Sequence, residues 1–79
     1  MDNAEKIGLR DKYGIEIKVG HIIETEYGVI NAIEKYGDRF CMRNPRTNPN
    51  AWCYFDDNKD LNLKIQVIGD METNPHILN

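Results

Sequence analysis

Val29-Ile30-Asn31-Ala32-Ile33-Glu34-Lys35-Tyr36-Gly37-Asp38-Arg39-Phe40-Cys41-Met42-Arg43 is the stretch on which the fold turns. Its first seven residues fit a strand or a short helix. Val29, Ile30 and Ile33 favour the strand, because branching at Cβ restricts a helical side chain and packs well on a pleated surface. Tyr36-Gly37-Asp38 then reads as a tight hairpin turn. Arg39 to Arg43 becomes the returning strand.

Working outward toward the N-terminus, Asp11-Lys12-Tyr13-Gly14 reads as a turn, with Gly supplying positive φ and Asp bonding the backbone. Ile15, Ile17 and Val19 alternate with Glu16 and Lys18, the period of a half-buried strand. After Gly20-His21, Ile22 to Tyr27 is β-prone and ends at Gly28. Residues 1–10 are polar, with Ile7 and Leu9 as anchors, and read as an arm or edge segment.

Toward the C-terminus, Asn44-Pro45-Arg46-Thr47-Asn48-Pro49-Asn50 reads as a loop, since two prolines and three asparagines exclude a central strand. Ala51 to Phe55 resumes β character. Asp56 to Asp60 is a charged turn. Leu61, Leu63, Ile65 and Val67 alternate with polar residues as another strand, closed by Ile68-Gly69-Asp70. In the tail, Pro75 can open a helical turn. Ile77 and Leu78 would then cap one end of a barrel. Turn signals every ~8–12 residues imply a small all-β barrel or sandwich. The chain reads as one domain, 1–79, with no internal repeat.

Composition narrows the function. A chain of 79 residues buries only about 60–65% of its unfolded surface. A deep pocket of roughly 300 Å³ or more is hard to enclose in it, so binding is expected rather than catalysis. Thirteen acidic residues against ten basic ones give a net charge of −3. That balance disfavours a general nucleic-acid coat and suits a basic protein partner. No secretory segment and no apolar run long enough for a membrane span is evident. A cytoplasmic protein with Cys41 and Cys53 reduced is therefore expected.

Two segments carry a family resemblance. Asp11-Lys12-Tyr13-Gly14-Ile15-Glu16-Ile17-Lys18-Val19-Gly20-His21-Ile22-Ile23 resembles the opening of the YopX-like phage and prophage proteins, whose pattern runs D-x-x-G-x-E-I-x-x-G-D-I-V. Gln66-Val67-Ile68-Gly69-Asp70-Met71-Glu72-Thr73-Asn74-Pro75-His76-Ile77-Leu78 resembles the same family's closing pattern, E-V-I-G-N-I-x-E-N-P-E-L-L. His21 stands where that pattern has Asp, and Asp70 where it has Asn. Between Glu24 and Leu63 only the strand-like rhythm is shared. The resemblance implies a small SH3-like antiparallel β-barrel with a short C-terminal helical turn. It also implies a phage or prophage origin, the host cytosol as the place of action, and no enzymatic activity.

Sites of known chemistry are weak throughout. Cys41, Cys53, His21 and His76 have the composition of a zinc site, but their gaps of 20, 12 and 23 residues lack the close pairs such sites use. Asp56-Asp57-Asn58-Lys59-Asp60 begins like a calcium loop, yet Leu61 and Val67 occupy the positions needing Gly and Glu. Both cysteines sit among apolar neighbours, which raises a thiol's pKa and argues against a nucleophile. The six glycines are scattered singly, with no phosphate-loop pattern. No metal and no cofactor is expected.

One cluster stands out: Arg39, Arg43, Arg46, Trp52 and Tyr54. Alternation puts Trp52 and Tyr54 on one side, and Cys53 and Phe55 on the other. If the latter face inward, the two aromatics stand outside beside the arginines. That composition belongs to protein-interface hot spots and equally to single-strand nucleic-acid stacking sites. Alternatively, Trp52 is a core residue and the arginines are solvated charges. The leading expectation is a non-enzymatic binding protein that engages a host or phage protein, with a nucleic-acid-handling or defence complex as its suggested target. The alternative is a nucleic-acid-binding barrel. Open strand edges leave a homo-oligomer open as well.

Overall fold

A computed structural model describes residues 5–55 and 64–78. The strands are β1 (Lys6–Arg10), β2 (Glu16–Lys18), β3 (His21–Glu24), β4 (Ile30–Tyr36), β5 (Arg39–Asn44), β6 (Asn48–Tyr54) and β7 (Gln66–Asp70). A 3₁₀ turn, Pro75–Leu78, follows. Strands β1 and β2 form a two-stranded sheet; the other five form a sheet in the order β6-β5-β4-β3-β7. Every strand pairing is antiparallel. No helix among the described residues is long and apolar enough to cross a membrane. The charged turn Asp56 to Asp60 and the first half of the expected strand, Leu61 to Leu63, lie outside the described residues.

The segment open to two readings is strand β4, and the sheet explains the ambiguity. Strands β3 and β4 are apolar on both faces, so their buried residues run consecutively: Ile22 with Ile23, and Ala32 with Ile33. A strand buried on both faces loses the period of two that would identify it. Gly37, at φ 63°, closes the turn that pairs Tyr36 with Arg39 and Ala32 with Arg43.

One core lies on each face of the larger sheet. Ile17, Ile23, Ile33, Met42, Phe55 and Ile65 make the first, with Ile7 and Leu9 of β1 packed against it. Ile22, Ala32 and Leu78 make the second, flanked by Ile30, Ile68 and Ile77. The C-terminal turn thus covers part of the second face. It approaches so closely that a Cβ on Gly69 would sit 2.9 Å from Asn74 Oδ1 and 3.0 Å from Ile77 Cδ1.

Several expected boundaries move. Of Ile15, Ile17 and Val19, only Ile17 is fully buried, and β2 is three residues long. Ile15 is still bound into the preceding turn, and Val19 donates to the Glu5 carbonyl as the chain leaves β2. The strand expected from Ile22 to Tyr27 stops at Glu24 because Thr25 starts a turn. The loop expected over residues 44–50 contracts to Pro45–Thr47. Asn48, Pro49 and Asn50 begin β6, which Pro tolerates because β6 is a sheet edge. Its register slips between the pairs Met42↔Cys53 and Asn44↔Asn48, so Pro49 to Trp52 bulge away from β5.

Two of the turns share one local geometry. Asp11-Lys12-Tyr13-Gly14-Ile15 and Thr25-Glu26-Tyr27-Gly28-Val29 fold into the same turn. In each, the first side chain accepts N–H bonds from the third and fifth residues. In each, the first and fifth residues bond through their backbones, and a glycine at φ 83° or 80° makes the corner.

Asp11 does more than its counterpart. Its Oδ1 accepts from Tyr13 and Ile15, and its Oδ2 accepts from the Val67 N–H of β7 at 2.9 Å. Lys12 N–H donates to the Ile65 carbonyl alongside. Asp11 therefore ties the β1–β2 corner to the far edge of the larger sheet. Burial opposes its ionisation, but the N–H groups of Val67, Ile15 and Tyr13 outweigh that and hold its pKa below 3.8. At the next corner, His21 Nδ1 accepts the Lys18 N–H at 3.1 Å, so that nitrogen carries no proton. Burial and the Lys18 charge hold the imidazole below 6.5.

Both groups have a folded pKa depressed below the unfolded value. Each therefore adds stability that is complete above its unfolded pKa and is lost as pH falls toward the folded one. The urea midpoint should fall first as pH drops below about 6.5 and again below about 4. His21→Asn keeps an acceptor for Lys18 and should abolish only the first fall. Asp11→Asn should lower stability by about 1–3 kcal/mol at neutral pH, since one carboxylate oxygen becomes an NH2 donor and the backbone N–H it served loses its acceptor. A flat midpoint between pH 7.5 and 5.5 in the parent protein would contradict the His21 assignment.

Candidate functional site

The hairpin register gathers a group of long side chains on the side of the sheet that also carries the second core. Tyr36 lies opposite Arg39, Glu34 opposite Cys41, and Cys41 opposite Tyr54. Arg39 Cζ lies 3.9 Å from the Tyr54 ring centre, and Arg43 Cζ lies 4.3 Å from that of Trp52. Tyr36 meets Trp52 at 5.0 Å, tilted by 54°. Trp52 is 37% exposed, which decides its role: it is a partly covered surface residue, while Phe55 of the same segment enters the first core.

Arg43 is the anchor of this group. Its Nε and Nη2 donate to the two Glu34 carboxylate oxygens, each at 3.0 Å, and its Nη1 donates to the Pro49 carbonyl at 3.0 Å. The Glu34 hydrogen bond raises its already high pKa. Planar, forked pairing of this kind fixes the guanidinium in place. One face of it then supports the Trp52 ring while Pro49 holds the bulge above. The arginine is thus a pre-set platform whose charge is balanced within the chain.

Of the five residues expected to form a site, Arg39, Arg43, Trp52 and Tyr54 come together. Arg46 does not join the stack. It is exposed in the Pro45–Thr47 turn, where its backbone N–H donates to Asn44 Oδ1 at 2.9 Å. Two members, Glu34 and Tyr36, escape a reading of the sequence. A two-residue turn at Gly37-Asp38 pairs Tyr36 with Arg39 and then Glu34 with Cys41, so the hairpin register alone carried the signal.

Beside this face lies an open groove of ≈ 460 Å³ between the start of β4, the β5–β6 hairpin and the C-terminal turn. Buried Asn44 holds all three walls. Its Nδ2 donates to the Ile30 and Leu78 carbonyls, both at 3.0 Å. Its Oδ1 accepts from Arg46 at 2.9 Å and Thr47 at 3.1 Å. That uses the full donor and acceptor capacity of one amide side chain. A second cleft of ≈ 110 Å³ lies at the β2–β3 corner, lined by Lys18, His21, Asp70 and Glu72 among others.

The two thiols lie on opposite sides of the sheet. Cys41 is fully buried on the same side as Glu34 and Tyr54, and burial together with the Glu34 charge raises its pKa. Cys53 packs against the first core, on the opposite side of the sheet. The two strands are neighbours in one sheet rather than facing each other across the core. Neither thiol is in a disulfide. Among the described residues, no three His, Cys, Asp or Glu side chains gather where they could hold a metal ion. The calcium-like segment from Asp56 lies outside them.

The two motif segments are neighbours in space. Strand β3 pairs with β7, Met71 N–H donates to the Gly20 carbonyl at 2.8 Å, and Asp11 receives Val67. The two departures from the motif patterns, His21 and Asp70, are direct register partners. No family model and no curated protein matches the chain.

Iodoacetamide should therefore label Cys53 before Cys41 in the native protein, with Cys41 reacting only on the timescale of unfolding. Peptide mapping after brief labelling at neutral pH measures this. Preferential labelling of Cys41 would mean that the cover formed over it is not closed.

Proposed function

We propose that this chain is a non-enzymatic binding protein that engages another protein through the outer face of β4, β5 and β6. The state of Arg43 carries the reading. A guanidinium paired with Glu34 and bonded to Pro49 has little left to offer a phosphate. It does present Trp52 as a rigid, half-exposed anchor with Tyr36 at its edge. Pre-set aromatic and arginine residues are what interface hot spots are made of. Stacked Arg39 and Tyr54 extend the face. A net charge of −3 also favours a protein partner over nucleic acid.

The finer reading is an SH3-like barrel of phage or prophage origin, acting in the host cytosol on a nucleic-acid-handling or defence complex. Its support is the pair of motif segments, Asp11 to Ile23 and Gln66 to Leu78, and their packing against each other. The acidic balance suits a basic target surface.

The test is an affinity capture from bacterial lysate, read by mass spectrometry, with wild type and Trp52→Ala compared after circular dichroism confirms that both fold. A partner held by wild type should be lost or weakened at least tenfold by Trp52→Ala. A gel-shift series with single- and double-stranded DNA and RNA runs in parallel. Retention of nucleic acid that falls steeply with salt and is abolished by Arg39→Ala would overturn the protein-binding reading in favour of the nucleic-acid one. A dimeric mass by light scattering, lost in Trp52→Ala, would assign the face to self-association instead.

A further inference from the structure

We infer that the groove beside Trp52 receives an uncharged, extended peptide segment of the partner; this rests on the protein-binding reading and names what that partner must present. The volume of ≈ 460 Å³ falls within the range of roughly 300–1,000 Å³ typical of ligand sites. Its walls are set in advance, because the single buried amide of Asn44 ties β4, the hairpin turn and the C-terminal turn together. Little ordering is left for a ligand to impose, which favours affinity.

The lining specifies the ligand. Charged residues make up 29% of the chain, yet none of the described residues lining this groove is charged. A charged segment entering it would lose hydration and gain no counter-charge. Val29, Ile30, Trp52 and Ile77 supply apolar surface, and Val29 is half exposed. Asn31 and Asn48 line the same groove, and neither side-chain amide has a hydrogen-bond partner among the described residues. A primary amide offers donors and an acceptor together, which matches the C=O and N–H of a peptide unit. Apolar surface for alternate side chains, with amides for the backbone between them, is the chemistry of extended-peptide recognition. The bulge of β6 at Pro49 to Trp52 breaks the regular ladder there, so side-chain amides take over the backbone contacts.

The test uses the full chain, ¹⁵N-labelled, titrated with three capped octapeptides. One alternates Val with Ser; the others replace Ser with Glu or with Lys. The neutral peptide should give saturable shifts at Val29, Asn31 and the Trp52 indole, at least tenfold tighter than either charged one. Asn31→Asp, which adds a charge and retains the shape, should weaken it at least tenfold with the spectrum otherwise unchanged. Equal binding of all three peptides, or no saturable shift from the neutral one up to millimolar concentration, would overturn the proposal. Groove shifts that grow with protein concentration alone would overturn it in favour of a second copy. A captured partner retained by Asn31→Asp but lost by Trp52→Ala would overturn the groove while leaving the outer face as the interface.

Discussion

One buried carboxylate joins the two sheets. Asp11 leaves β1, turns the chain and receives the Val67 N–H of β7, the last strand of the larger sheet. It thereby sets where Ile7 and Leu9 rest on the first core. Comparison with the second copy of the turn isolates what the carboxylate adds. Thr25 makes the same two local bonds with its hydroxyl and has no second oxygen to reach elsewhere. Replacing a hydroxyl by a carboxylate converts a local turn into a long-range tie. The ionised form is the one that accepts every bond, so the tie is written in charge as well as shape.

Asn44 solves the corresponding problem at the other end. A domain of this size has little apolar interior to spend on fixing its edges. Its loops are fixed instead by short polar side chains that bond backbone groups. Asp70 follows the same rule, taking the Glu72 and Thr73 N–H groups at 2.9 Å and so aiming the C-terminal turn at the sheet. Leu78 then reaches Ile22 and Ala32, and its carbonyl returns to Asn44. Core and turn are mutually supporting: the amide places the leucine, and the leucine closes the second core.

This division explains what was legible in the sequence. The β class was readable because hairpin turns and β-branched residues act locally. The helix-or-strand ambiguity of Val29 to Lys35 came from burial on both faces, which only the sheet order reveals. The repeated turn escaped notice because five residues with two identities, Tyr and Gly, are a faint repeat until their bonds coincide. Pro49 pointed to a loop because the rule against proline applies to central strands, and nothing local announces an edge. At the site, alternation was enough to place Trp52 opposite Phe55. Glu34 required a register, and a register is a property of two strands.

Glu34 also changes what the site is. Without it, Arg39 and Arg43 beside Trp52 and Tyr54 fit a nucleic-acid platform as well as a protein interface. With it, Arg43 sits in a closed circuit of carboxylate, carbonyl and indole, and its charge is spent inside the chain. The groove that adjoins Trp52 continues that logic, since none of the described residues lining it is charged. On the protein-binding reading proposed above, an acidic protein that neutralises its own arginine beside this groove would discriminate by shape and hydrogen bonding at close range. On the same reading its net charge would act at a distance, steering a basic partner toward that surface.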